Sequence, residues 1–226
     1  MKMTRRVLAA MTTALLFLAG TANASGYYYS QPTYEVTIIN ATPGQVFSPP
    51  VLVTHSRDIS LFEVGTPALP ELGIVAEDGA GQPLVDLLST IYAVSGAQTT
   101  PAPIPPGGSA VYEIRAPRND VLSIVSMLVN TNDAFLALDS RRLPRRRGAT
   151  RTYSVLAYDA GTEANNEDCA FIPGPACPAG SGNARAVDGA EGFVHVHNGV
   201  HGVADLGPVA YDWRNPVAII KIKRTR

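Results

Sequence analysis

Three acidic residues sit where strand-like segments begin or end. Glu113 lies inside Ala110–Arg115, Asp133 follows an apolar run through Asn130-Thr131-Asn132, and Asp159 closes Tyr153–Tyr158. A carboxylate beside an apolar strand is costly to desolvate unless something neutralises it. Three that converge would repel one another unless a cation lay between them. Calcium suits such a set, because it takes roughly six to eight oxygens from carboxylates, carbonyls and water in flexible geometry. Asn130, Asn132 and Glu163 are further oxygen donors close by in sequence. No EF-hand loop spacing is present.

A second set is His195-Val196-His197, with His201 four residues beyond His197. Two histidines on one strand face are a donor pair for zinc or copper. The same pattern also describes a half-buried strand whose imidazoles are hydrogen-bonded. Asp205 and Asp212 are near enough in sequence to orient the rings. A third set is basic: Arg141, Arg142, Arg145, Arg146, Arg147 and Arg151. Arg145, Arg146 and Arg147 form a patch for a surface polyanion. The plainer reading is a solvated loop neutralised by Glu163, Glu167 and Asp168. The only cysteines, Cys169 and Cys177, flank a Pro-Gly-Pro turn. They read as one local disulfide, since the C-x-x-C spacing of a redox pair is absent.

The N-terminus explains the compartment. Lys2, Arg5 and Arg6 precede a short apolar run, and Ala22-Asn23-Ala24 is a small-residue cleavage site. Residues 1–24 therefore read as an export signal, too short in its apolar part to span a bilayer. The destination is secreted or periplasmic, where a disulfide persists. Without the signal's three basic residues the chain has 15 basic and 19 acidic residues, a net charge of −4. That balance is no footprint for nucleic acid. No later run is long enough to cross a membrane.

Residues 25–33 read as a flexible lead-in and 34–226 as one domain. Strands are expected at Tyr34–Asn40 and Val51–Thr54, and over 110–115, 121–129, 134–138, 152–158, 192–197 and 216–223. The run Val121–Val129 is apolar on both faces, as a central strand is. Leu69, Leu72 and Ala76, then Leu84, Leu87, Leu88 and Ile91, recur at helical spacing. They predict two short helices on a sheet edge. Residues 93–109 read as a loop. Many strands separated by turn signals give a mostly β chain, an antiparallel β-sandwich with one or two short helices.

The segments Asp133-Ala134-Phe135-Leu136-Ala137-Leu138-Asp139-Ser140 and Tyr158-Asp159-Ala160-Gly161-Thr162-Glu163 carry a resemblance. Tyr34–Ile38 with Pro49 and His55, and Leu72–Gly79, extend it over nearly all of the exported chain. The pattern resembles the spondin N-terminal domain family, in an exported bacterial form. The resemblance implies a C2-like β-sandwich and a bound calcium ion held by one Glu and two Asp. Matched by motif, these are Glu113, Asp133 and Asp159. Ala134 stands where the family has an aromatic, Glu163 where it has Asp, and the loop Ala116–Asp120 differs in length.

No G-x-S-x-G elbow, H-E-x-x-H, Walker or dinucleotide glycine pattern occurs. The expected function is a non-catalytic, calcium-binding recognition or adhesion module. Its partner would be a protein or glycan outside the cell or in its envelope. The competing expectations are a metal-dependent hydrolase built on His195 and His197 or on the carboxylates, and a purely structural envelope protein.

Overall fold

A computed structural model describes residues 31–226; the expected signal and most of the lead-in lie outside them. Nine strands form: β1 (Thr33–Asn40), β2 (Val51–His55), β3 (Val94–Thr99), β4 (Ser109–Arg115), β5 (Val121–Met127), β6 (Ala134–Arg142), β7 (Thr150–Asp159), β8 (His195–Val196) and β9 (Ala218–Arg224). Three helices accompany them: α1 (Pro70–Asp78), α2 (Gln82–Ser89) and the single-turn α3 (Pro208–Tyr211). The chain is mostly β. Its strands follow the order β3-β2-β5-β6-β7-β9-β1-β4, with β8 paired to β7 and every pairing antiparallel.

Strand β7 joins the two halves of this path. Thr150–Val155 pair with β9, whereas Leu156–Asp159 pair with β6. The alternation of β1 and β9 sets the inner face. Val36 lies opposite Ile222 and Ile38 opposite Ile220, all four fully buried, while Lys221 and Lys223 point to solvent. Their apolar cluster includes Leu52 of β2, Ile124 of β5 and Leu136 of β6. The two halves of the path therefore share one core. Strand β5 is buried at all seven positions, as its two-sided apolar run predicts.

The other face of β2, β5 and β6 carries a second core. Val51, Val53, Val125 and Phe135 pack there against Leu72 and Val75 of α1 and Leu84 and Leu88 of α2. Burying each of these side chains stabilises the fold by about 1.5–3 kcal/mol before entropic costs. The helices thus cover a sheet face, α1 over β5 and β6 and α2 over the edge strand that pairs with β2. Helical periodicity shows that a stripe is buried, but not which side of the sheet it covers. Pro70 opens α1, and Gly79 closes it in the left-handed conformation (φ 67°).

The stretch expected to be a loop over 93–109 contains β3 and the start of β4. Val94–Thr99 has no apolar alternation because it is the edge strand beside β2 and largely exposed. Cys169 and Cys177 are disulfide-bonded, with Cα atoms 5.4 Å apart.

Candidate metal centre

The turn after β5 positions the first carboxylate. Thr131 Oγ1 donates to the Leu128 carbonyl and accepts the Ala134 N–H, closing the turn that presents Asp133. Asp133 is fully buried. Its Oδ2 accepts the N–H groups of Thr162 (2.7 Å) and Glu163 (3.0 Å) and the Thr162 hydroxyl (3.1 Å). Its Oδ1 has no hydrogen-bond partner. Asp133 therefore anchors the turn that follows β7. Burial and the neighbouring Asp159 carboxylate push its carboxyl up to about 7.

Asp159 ends β7, opposite Ala134 of β6 on one side and His195 of β8 on the other. It too is fully buried. Oδ1 accepts the Gly161 N–H at 2.7 Å, and Oδ2 accepts Asn165 Nδ2 at 2.6 Å. Burial raises its pKa, and the bonds from Asn165 and Gly161 and the charge of His195 oppose the rise. Asn165 also donates to Glu191 Oε1 at 3.3 Å, so one amide bridges two carboxylates.

Gly161 makes the assembly possible. It has φ 68°, and a Cβ there would lie 2.3 Å from the Phe193 carbonyl oxygen. Only glycine lets the 159–163 turn lie against residues 192–193, where the Gly192 N–H also donates to the Gly161 carbonyl. That contact brings Glu191 and His195 beside Asp159. One donor atom from each of these three residues lies within 4.8 Å of the others.

The two histidines carry opposite tautomers. His195 Nδ1 lies 3.1 Å from the Val196 carbonyl, which only accepts, so Nδ1 holds the proton. In the neutral ring the lone pair is then on Nε2, 3.5 Å from Asp159 Oδ1 and 4.0 Å from Glu191 Oε1, with no hydrogen-bond partner; in the charged ring a proton takes its place and faces the same carboxylates. A ring that gives its other N–H to a backbone carbonyl is arranged as metal-ligating histidines are. His197 is the reverse. Its Nδ1 accepts the Gly199 N–H at 2.9 Å, so the proton sits on Nε2, 3.7 Å from Asp159 Oδ2. Burial, then the charges of His195 and His201, hold the His197 pKa down to about 3, so the ring is neutral. His197 Nε2–H thus faces Asp159 beyond hydrogen-bond distance and has no partner, while the Nδ1 lone pair is committed to Gly199.

Several expected donors lie elsewhere. Glu113 is an exposed residue of β4, registered against Glu35 and three strands from β7 along the sheet path. The set Glu113, Asp133 and Asp159 is therefore not assembled, and these residues do not fit the calcium site the resemblance implies. Asn130 is spent on structure, donating to the Gly44 carbonyl and accepting the Ala176 N–H. Glu163 turns toward Arg185, which pairs with Glu77 of α1 at 2.7 Å and lies 3.8 Å from Glu163. Burial raises the Glu163 pKa to about 7, against the Ala186 N–H bond. His201 faces Glu167 at 3.8 Å and is exposed, outside the group. His195 and Asp159, read in separate clusters in the sequence, belong to one.

Glu191 and Asn165 escaped the sequence reading. Glu191 lies in a glycine-flanked loop, and its one signal is a place four residues before His195. Arg145, Arg146 and Arg147 are exposed in the β6–β7 connection. The acids expected to neutralise them are engaged elsewhere: Glu167 accepts the N–H groups of His201, Gly202 and Val203, and Asp168 that of Ala170. No family model matches the chain, and no curated protein does.

Proposed function

We propose that the chain is an exported, cation-ordered recognition module of the kind the spondin-like segments imply, in which Asp159, Glu191 and His195 hold one divalent ion. The observation that carries this reading is the unpartnered Nε2 lone pair of His195, aimed at two carboxylates already bridged by Asn165. The ion would tie the turn after β7 to the segment entering β8. Loops fixed in advance lower the ordering cost of binding a partner.

The donor set also bears on the ion. One imidazole with two carboxylates suits zinc or another first-row divalent ion. Calcium, the ion expected from carboxylates alone, prefers an all-oxygen shell. Titration of chelator-stripped protein with each metal tests this. Zinc binding at one per chain and at lower concentration than calcium is expected. No binding of either metal overturns the reading.

One observation favours a second reading. Glu191 is exposed, so a divalent ion held by these three residues would keep a coordination position open to solvent. None of Asp159, Glu191 and His195 lines the cleft of about 480 Å³ bounded by His197, His201, Asp212 and Trp213, so this reading rests on the open coordination position alone. A metal-dependent hydrolase would use that arrangement to activate water. Hydrolysis that disappears in His195→Ala and returns with added metal only in the wild type would favour it.

A further inference from the structure

At the start of β7, two cavities meet at Arg145. One, of about 220 Å³, is lined by Tyr34, Arg118, Asn119, Arg145 and Arg224. The other, of about 360 Å³, is lined by Pro144, Arg145, Arg146, Ala149, Thr150 and Arg151. Among the described residues, no Asp or Glu side chain lies within 4.0 Å of a nitrogen of any of these five arginine side chains. Asp120 acts on Tyr34 together with Arg224 and Arg118, yet it pairs with neither.

The scaffold beneath is firm. Arg224 Nε donates to a main-chain oxygen of Arg226 at 2.7 Å, and its Nη1 donates to the Arg145 carbonyl. Gly148 N–H donates to the Arg224 carbonyl, and Arg224 N–H to that of Ala149. The basic loop is thereby pinned to the end of β9. Arg118, Arg145, Arg146 and Arg151 stay exposed, with their charged heads uncommitted.

We propose that this face binds a linear anionic polysaccharide, one bearing sulfate or carboxylate groups along its length. Guanidinium forks match planar or tetrahedral oxyanions through paired, charge-assisted hydrogen bonds. Two adjoining cavities around four exposed arginines suit a ligand with repeated charges more than a single small anion. Nucleic acid is the less suitable polyanion. The only ring lining either cavity is Tyr34, which is 1 % exposed and offers no platform for a base. Arg151 and Asp159 are eight residues apart on β7, about 26 Å at the usual rise. This face is therefore distinct from the metal centre.

The test is calorimetric titration with a heparin-derived octasaccharide, with an oligothymidylate of equal charge as comparison, in chelator and again after zinc loading. The expected result is salt-sensitive binding of the oligosaccharide, tighter than that of the oligothymidylate and alike in both metal states. Arg118→Gln with Arg145→Gln should weaken it about tenfold, while Arg57→Gln with Arg214→Gln, an equal charge change at exposed sites outside both cavities, should stay within about twofold. If the first pair fails to fold, Arg146→Gln with Arg151→Gln reads the same effect from exposed positions. Absence of oligosaccharide binding, equal losses in the Arg57→Gln with Arg214→Gln control, or oligothymidylate binding as tightly would each overturn the proposal. Since the titrations include stripped protein, failure of the metal reading leaves this result interpretable.

Discussion

His195 Nε2 lies 3.5 Å from Asp159 Oδ1, and the hydrogen bond from His195 Nδ1 to the Val196 carbonyl leaves no proton between them in the neutral ring. A lone pair aimed at a buried carboxylate is unfavourable as it stands. Either a proton or a cation must enter, and Glu191 adds a second carboxylate on the same side. Both occupants compete for the same place, so metal affinity should fall as the solution is acidified.

Substitutions of the two histidines should separate. His195→Ala removes a ligand and should abolish stoichiometric metal, measured by elemental analysis after dialysis. His197→Ala removes a neutral ring whose Nε2–H faces Asp159 at 3.7 Å without a hydrogen bond. The metal should remain at one per chain, with affinity about 10–100-fold weaker by competition with a chromogenic chelator. Equal loss in both variants would make His197 a ligand and refute the tautomer assignment.

Asp133→Ala should destabilise the protein whether or not metal is present. The substitution leaves the Thr162 and Glu163 N–H groups and the Thr162 hydroxyl without their acceptor. A loss of about 3 kcal/mol or more is expected from urea unfolding. An effect seen only in metal-loaded protein would instead make Asp133 a ligand.

The metal-free protein should be less stable in mild alkali than in mild acid. Asp133 and Glu163 both have carboxyls raised to about 7 in the fold, mainly by burial. In the unfolded chain they ionise near 4. Below that value both states are protonated, and the folded state bears no cost. As pH rises from about 4 to 7 the unfolded chain releases these two carboxyl protons while the folded one retains them, which lowers stability, levelling off above 7; His197, held neutral in the fold, offsets part of the fall below about 6.5, where the unfolded ring is charged. Melting temperatures in chelator at pH 5 and pH 8 check this. The pH 8 value should be lower by several degrees. A higher value would contradict the burial argument.

Cys169→Ser should cost about 2–3 kcal/mol, the entropic worth of a short closed loop, with the metal content unchanged. The bridge ties 169 to 177, and neither cysteine is a member of the Asp159 group. Metal loss in this variant would show that the loop supports the centre.

Much of the fold was readable because single strands declare their own burial. The two-sided apolar run of β5 and the alternation in β1 and β9 placed those strands correctly. Strand β3 escaped because an exposed edge strand needs no apolar face. The centre was only half legible. Asp159 and His195 both stood out, yet as members of separate clusters, because the register pairing β7 with β8 has no local signature. Glu113 looked equivalent to the other acids in the sequence, whereas its strand lies at the edge of the sheet path. Gly161 was one glycine among 20, and only the Phe193 backbone lying against it reveals its role.

The most direct measurement is an anomalous difference map from crystals soaked in zinc, recorded above and below the zinc edge. One peak should appear about 2.0–2.2 Å from His195 Nε2 and from a carboxylate oxygen of Asp159 and of Glu191. No peak there, or a peak held by Asp133 and Glu163 with His195 turned away, would contradict the account.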